Sequence, residues 1–489
     1  MASLIAREQL GPLQRHVDSV HDDLVDRKAA SRMRSGDHAL WQDDPTEVAD
    51  RLGWLHVIDD LRGADLGVGS DVKKAALLGM GGSSLFPEVL YRSCRRNDVE
   101  LAVLDTTDPA AIARVDADDR LFIAASKSGT TIETTSQLAH FWEATGGNGD
   151  QFVAITDPGT PLAQLGTDRQ FRRVFENRPD IGGRYSALSC FGLVPAALLG
   201  VDTDTLLADA SSVDDADGVR LGAILGAAAQ NGHDKLTIVL PGELDSFGLW
   251  IEQLVAESTG KHGTGLLPVV GEPLGAPDVY GDDRLFVVHD GVDTSALEAA
   301  GHPVVVLAAD AALGALVMLW EQAVALSGAV LGINPFDQPD VQSAKDATNK
   351  VLDGGLPHID TVDPEELLGT VAPGDHVCIL AFVDPGDAAL LDTIERARVA
   401  TRNRLKVATT VGIGPRFLHS TGQLHKGGPP TGVFLQLVGD DPVDLPIPGR
   451  PYGFSTLKQA QAAGDLTALQ QRGLRAGRIT RNALEAMAQ

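Results

Sequence analysis

Residues 121–134 read L-F-I-A-A-S-K-S-G-T-T-I-E-T, a stretch that leaves the chain little freedom in how it folds. Five apolar residues, 121–125, make a short buried strand; the composition then turns at once to hydroxyls, one lysine and one glycine before a helical run opens at Ile132. At such a strand–turn–helix junction the free backbone N–H groups and the positive helix end face outward. Ser126, Ser128, Thr130 and Thr131 add hydroxyl donors there, and Lys127 adds charge. A helix cap accounts for one hydroxyl. Four hydroxyls, a lysine and a glycine within six residues exceed that need, and the turn reads as a cradle for a small anion, phosphate first.

The flanking segments repeat the pattern. Apolar strands expected at 75–78, 101–104, 121–125 and 152–155 alternate with turns and helices, which predicts an α/β fold built on parallel, doubly wound sheets, with ligands beyond the carboxyl ends of the strands. G-M-G-G-S-S-L-F-P at 79–87 stands at one such end, where glycines such as Gly82, next to Ser83, let backbone approach a ligand. It lacks the Gly-Lys-Ser/Thr of a P-loop and the acidic ribose partner of a dinucleotide fingerprint. A chain of 489 residues, 43% hydrophobic, exceeds one ordinary core and supplies several. The expected division is a helical N-terminal arm over 1–61, a first unit over 62–210, a second over 211–372 and a further C-terminal α/β segment over 373–489. In the arm, Leu10, Leu13, Val17 and Val20 fall near helical spacing, and Trp41 and Trp54 are expected to pack rather than to touch a ligand.

A formal charge of −27 argues against nucleic acid or an anionic membrane surface as partner. It also means that an anionic ligand must be caught by a local, N–H-rich pocket against an unfavourable field. No unbroken apolar stretch approaches the ~20 residues of a membrane span, and a cytoplasmic location follows as the expectation. Cys94, Cys190 and Cys378 stand singly and fit reduced packing residues, not a disulfide framework or a metal site.

Four further polar islands carry chemistry. In 176–186, Gly182 and Gly183 precede Arg184, which is either a carboxylate-paired structural residue or an oxyanion stabiliser. The helix W-I-E-Q-L-V-A-E-S-T-G-K places Glu252 and Glu257 five apart on different faces; a buried Glu257 near the helix end would be raised towards the range of a useful base, with a surface pair to Lys261 or an arginine as the plain alternative. G-I-N-P-F-D-Q-P-D-V-Q-S-A-K at 332–345 reads as a helix start, with Gln338 near the N-terminus and Lys345 two turns on along the same face. The glycine-rich stretch 414–429 brings His419, His425 and Lys426 close together without a third ligand at zinc spacing, and reads as a functional loop.

Taken in order, these islands resemble the phosphoglucose isomerase family, whose fold is two doubly wound sugar-isomerase (SIS) domains. The resemblance covers roughly residues 75–352. It implies that the 79–87 loop binds sugar phosphate with Gly82 and Ser83, that Ser126, Lys127, Ser128 and Thr131 cradle the phosphate, and that Gly183 and Arg184 lie near the reacting carbons. It further implies Glu257 as the catalytic base, with Gln338 and Lys345 as active-site residues. The C-terminal segment resembles the isomerase half of fused transaldolase and phosphoglucose isomerase proteins, with no transaldolase-like portion expected ahead of it. Where better-known members carry a ring-opening histidine after G-E-P, contributed across the dimer, this chain reads G-E-P-L-G-A-P-D-V-Y-G-D-D-R. His425 is then the first candidate for that role and His262 the second. The implied activity is aldose–ketose isomerisation of glucose 6-phosphate through an enediol. No metal or organic cofactor is expected, the partner is a hexose phosphate, and a homodimer is compatible with the resemblance. A sugar-phosphate-sensing SIS module, or an isomerase of a related hexose phosphate or sulfonated sugar, are the alternatives.

Overall fold

The computed structural model describes residues 3–489, the side chains of 341, 343 and 344 excepted. The chain opens with a strand, β1 (Ile5–Gln9), not with the uniformly helical arm expected, and only then turns helical. Its sequence I-A-R-E-Q alternates too weakly to announce a strand; its pairing partner lies some 300 residues away.

Three sheets follow. The first is built from β2 (Lys74–Gly79), β3 (Glu100–Leu104), β4 (Arg120–Ala125), β5 (Phe152–Thr156) and β6 (Arg173–Glu176), in the order β3-β2-β4-β5-β6 and parallel throughout. β4 is buried along its whole length, its apolar run from Leu121 to Ala125 covered on both faces. The second contains β7 (Lys235–Val239), β8 (Leu267–Val270), β9 (Arg284–His289) and β10 (Val304–Leu307), in the order β8-β7-β9-β10, with β1 added antiparallel to β10. The third, β11 (His376–Phe382), β12 (Ala408–Ile413), β13 (Gly432–Val438) and β14 (Arg475–Arg478), runs β12-β11-β13-β14. Each sheet thus places its second strand on one side of the first and its third on the other, and so has a switch point beyond the carboxyl ends of its first and third strands.

One apolar core reaches from Leu10 to Phe336 and joins the N-terminal segment to one face of each of the first two sheets. Trp54, Trp250 and Trp320 are fully buried, and Trp41 donates its indole N–H to the Ala325 carbonyl at 2.7 Å. Across this core runs the helix Leu313–Leu331, 19 residues long and, although Glu321 and Gln322 break its apolar run, apolar enough by length and composition to cross a bilayer; 89% of its most apolar window is buried inside the protein. The third sheet has cores of its own on its two faces.

Candidate active site

β2 and β4 pair with Gly79 opposite Ala125, so the glycine loop and the hydroxyl turn leave the first sheet side by side at its switch point. In the turn, the buried Ser126 Oγ lies 2.9 Å from Thr131 Oγ1 and accepts from the Gly129 N–H at 3.2 Å. Ser128 and Thr130, both exposed, are joined through their hydroxyls at 3.0 Å. The helix Ile132–Ala144 begins here; Thr131, at its N-cap, makes no side-chain bond to its first N–H groups. The Lys127 ammonium turns aside to Asp157 and to the Pro179 carbonyl, tying the turn to its neighbours.

Gly82 is required by packing. A Cβ there would lie 1.8 Å from the Gly183 carbonyl oxygen, so the glycine loop presses directly on the segment that carries Arg184. Gly82→Ala is therefore expected to cost about 1–3 kcal/mol of stability through forced backbone displacement; urea unfolding of the variant checks this. Ser83 is half-buried at the next position.

Arg184, 1% exposed, is the hub. Its guanidinium donates to Ser258 Oγ at 2.9 Å, to the Pro335 carbonyl at 2.6 Å, to the Asp337 carbonyl at 2.7 Å and to Gln338 Oε1 at 2.8 Å. Its Nη1 also faces Glu257 Oε1 at 3.3 Å. Glu257 sits near the end of the helix Asp245–Thr259, its side chain 12% exposed, and its other oxygen accepts from Gln253 Nε2 at 3.1 Å. The carboxylate is thus enclosed but charge-matched. Glu252, on another face of the same helix, is the carboxyl pushed up to about 7, by burial against the opposing pull of Arg398 and Arg416.

Gln338 lies in a loop before the helix Val341–Gly354, and so is not on the helix with Lys345 as expected. Pro339 immediately after it disfavours helical backbone at Gln338. Lys345 is exposed on the first turns of that helix, and its charge reaches Glu133. Lys261, which the sequence suggests only as a surface partner for Glu257, is fully buried. It donates to the Asn334 carbonyl at 2.5 Å, to the Asp337 carbonyl at 2.6 Å and to Asp337 Oδ1 at 2.7 Å, so it and Arg184 hold the same loop. Burial, reinforced by the like charge of Arg184, pushes its ammonium down to about 7. Its one local signal is its place just after the glutamate in E-S-T-G-K.

The stretch 414–429 does reach this cluster, through a different histidine from the one favoured. His425 lies in a buried helix, Gly422–Gly427, with Nε2 at 3.7 Å from Cys378 Sγ and its ring against Phe417 and Phe434. Burial first, then the charges of Lys426 and His376, drives its basicity far down, and Lys426 is itself locked to Asp465 at 2.6 Å. His262 is exposed at the end of the Glu257 helix. His419 instead places Nε2 at 2.9 Å from Glu133 Oε1, and its carbonyl accepts from Gln253 Nε2 at 2.9 Å, the same amide that binds Glu257. Burial pushes Glu133 up, but His419 and Lys345 outweigh it and hold the carboxyl below its ordinary value.

Two doubly wound parallel sheets sharing one core, with a glycine loop and a hydroxyl turn at one switch point, define a protein of the SIS fold. A hypothetical protein from Thermus thermophilus has this fold, at TM-score 0.59 and 23% identity over 71% of this chain and all of its own. So does a glucose-6-phosphate isomerase from Chlamydia trachomatis, at TM-score 0.53 and 19% identity over 69% of this chain and 86% of its own. Residues 56–262 match the family model described as phosphoglucose isomerase. Glucose-6-phosphate isomerase from Rubrobacter xylanophilus is 28% identical over 55% of this chain and 80% of its own length. That from Synechococcus elongatus is 29% identical over 56% of this chain, which spans 65% of that relative's length. Over these residues the chain is similar to phosphoglucose isomerases.

Proposed function

We propose that the protein is a glucose-6-phosphate isomerase, interconverting glucose 6-phosphate and fructose 6-phosphate through an enediol. The observation that carries this is the Glu257 carboxylate facing the Arg184 guanidinium at 3.3 Å, with Gly183 pressed on the glycine loop that leaves the first sheet next to the turn 126–131. Aldose–ketose exchange needs a base that takes a proton from C2 and returns it to C1, and a cation where the enediolate oxygen develops charge. Glu257 is the base and Arg184, with Gln338 on its Nη1, the cation. The substrate phosphate sits at Ser126, Ser128 and Thr131, with Gly82, Ser83 and Gly183 closing round the sugar. Lys127 orders the turn, and Lys345 supplies charge near the ring oxygen. The reaction draws on no cofactor, and the cytoplasm is its proposed site.

A coupled assay over a panel of hexose phosphates tests the substrate, and a sulfonated sugar preferred over glucose 6-phosphate would reassign it. For the cradle, Ser126→Ala combined with Thr131→Ala is expected to raise KM for glucose 6-phosphate about 10- to 100-fold, since hydrogen bonds to a charged group are worth about 1.5–3 kcal/mol. An unchanged KM would move the phosphate elsewhere.

A further inference from the structure

We infer that the C-terminal unit completes the active site within a single chain, with His419 as the acid–base group that opens the sugar ring; this rests on the isomerase reading above. The unit does not merely abut the other two. Arg416 pairs with Glu88 at 2.9 Å and Asp105 at 2.6 Å, beneath the glycine loop. His419 and Gln461 both donate to Glu133 Oε1, at 2.9 and 2.7 Å, and Glu133 is in the first turn of the helix that follows the hydroxyl turn. Gln423 donates to the Gly260 carbonyl at 3.0 Å, at the end of the Glu257 helix, and to Asp340 Oδ2 at 2.7 Å, beside Gln338. Each contact lands on an element that carries part of the site.

Gly81 fits His419 closely. It has φ +55°, and a Cβ on it would come within 2.8 Å of the His419 carbonyl oxygen, so backbone without a side chain is what lets the two segments meet. The imidazole is 22% exposed while its partner Glu133 is 3% exposed: a ring open to a ligand, oriented by a buried carboxylate. By contrast, the unit's own switch point opens on a cleft of about 850 Å³ where Asp384 and Asp441 are taken up by Arg114 and Lys458, with Asp387, Asp440 and Arg481 beside them. The unit keeps the topology of the first sheet but lends its chemistry to the neighbouring site.

With Nε2 engaged by Glu133, the proton moves through Nδ1. As the C1–O5 bond breaks, its electron pair goes to O5, which takes the proton from Nδ1. The C1 hydroxyl releases its own proton to water and becomes the aldehyde carbonyl, and His419 is reprotonated from solvent. Atoms and charge balance without a co-reactant.

The test uses the full chain. His419→Asn is expected to lower kcat on glucose 6-phosphate about 100-fold or more, with KM within a few-fold of wild type and an unchanged thermal melt; His419→Gln guards against a local packing effect. Wild-type turnover in both would overturn the assignment while leaving Glu257 as base. Next, His419→Asn and Glu257→Gln chains are co-expressed and purified together. A site completed in one chain predicts no more than the summed activity of the two variants. Recovery towards about a quarter of wild type, the value for random pairing into dimers with shared sites, would show that the histidine is supplied across subunits. Near-normal turnover by Glu257→Gln alone would instead sink the isomerase mechanism itself.

Discussion

Glu257→Gln is expected to lower kcat for glucose 6-phosphate about 10²- to 10⁴-fold, the span that a positioned general base contributes. The substitution keeps the size of the side chain, and its one amide oxygen can accept from Arg184 Nη1 in place of the 3.3 Å ion pair, at the loss of the bond from Gln253. KM should therefore move little and the fold should hold, so the loss reads as basicity and not as binding. Steady-state kinetics in both directions check this, together with uptake of solvent deuterium at C2 of recovered glucose 6-phosphate, which should disappear with turnover.

Arg184→Met should be more damaging to the molecule as a whole. Its guanidinium, 1% exposed, serves Ser258, Pro335, Asp337, Gln338 and Glu257 at once. Removing one partner of a buried pair costs about 3–5 kcal/mol, because Glu257 loses its cation and the Pro335 carbonyl its donor, while the Asp337 carbonyl keeps Lys261. The measurement is the urea midpoint, with kcat alongside. Arg184→Lys keeps the charge but loses the planar fork; it should recover part of the stability while turnover stays about 10²- to 10³-fold down, the loss seen when one oxyanion donor goes. A Lys variant with full activity would mean that charge alone, not the fork, orders the site.

The parts of the fold readable in the sequence are those whose residues face one environment. β4 after Arg120 and β11 after His376 are continuously apolar because both faces are covered, and the hydroxyl turn declares itself by composition. The strands that sequence does not reveal, β1, β6, β8 and β14, are short, and all sit at sheet edges; R-A-G-R in β14 or R-V-F-E in β6 has no periodicity to find, since only pairing with an already formed neighbour makes it a strand. Within the site, Arg184, Glu257 and Gln338 come together as one hydrogen-bonded group. Lys261 and Glu133 are hidden because each looks like an ordinary helix-end residue until the opposing loop arrives. Between His419 and His425, six residues apart, sequence offers no choice of face; a single turn of buried helix sends one into the core and the other towards Glu133.

The order in which these contacts become available along the chain has a consequence during synthesis. On a ribosome, Arg184 and Glu257 emerge well before His419 and Gln461, and at roughly 5–20 residues per second the gap amounts to roughly 10–40 seconds. Meanwhile β1 must wait for β10, some 300 residues further on, before its sheet can close. A nascent chain therefore passes through a period in which the first sheet and its hydroxyl turn can form while the helix bearing Glu257 still lacks the carbonyl of His419 and the amide of Gln423 that later hold it. The C-terminal unit acts as a clasp: a chain truncated before it lacks both the His419 carbonyl and the Gln423 amide that hold the Glu257 helix.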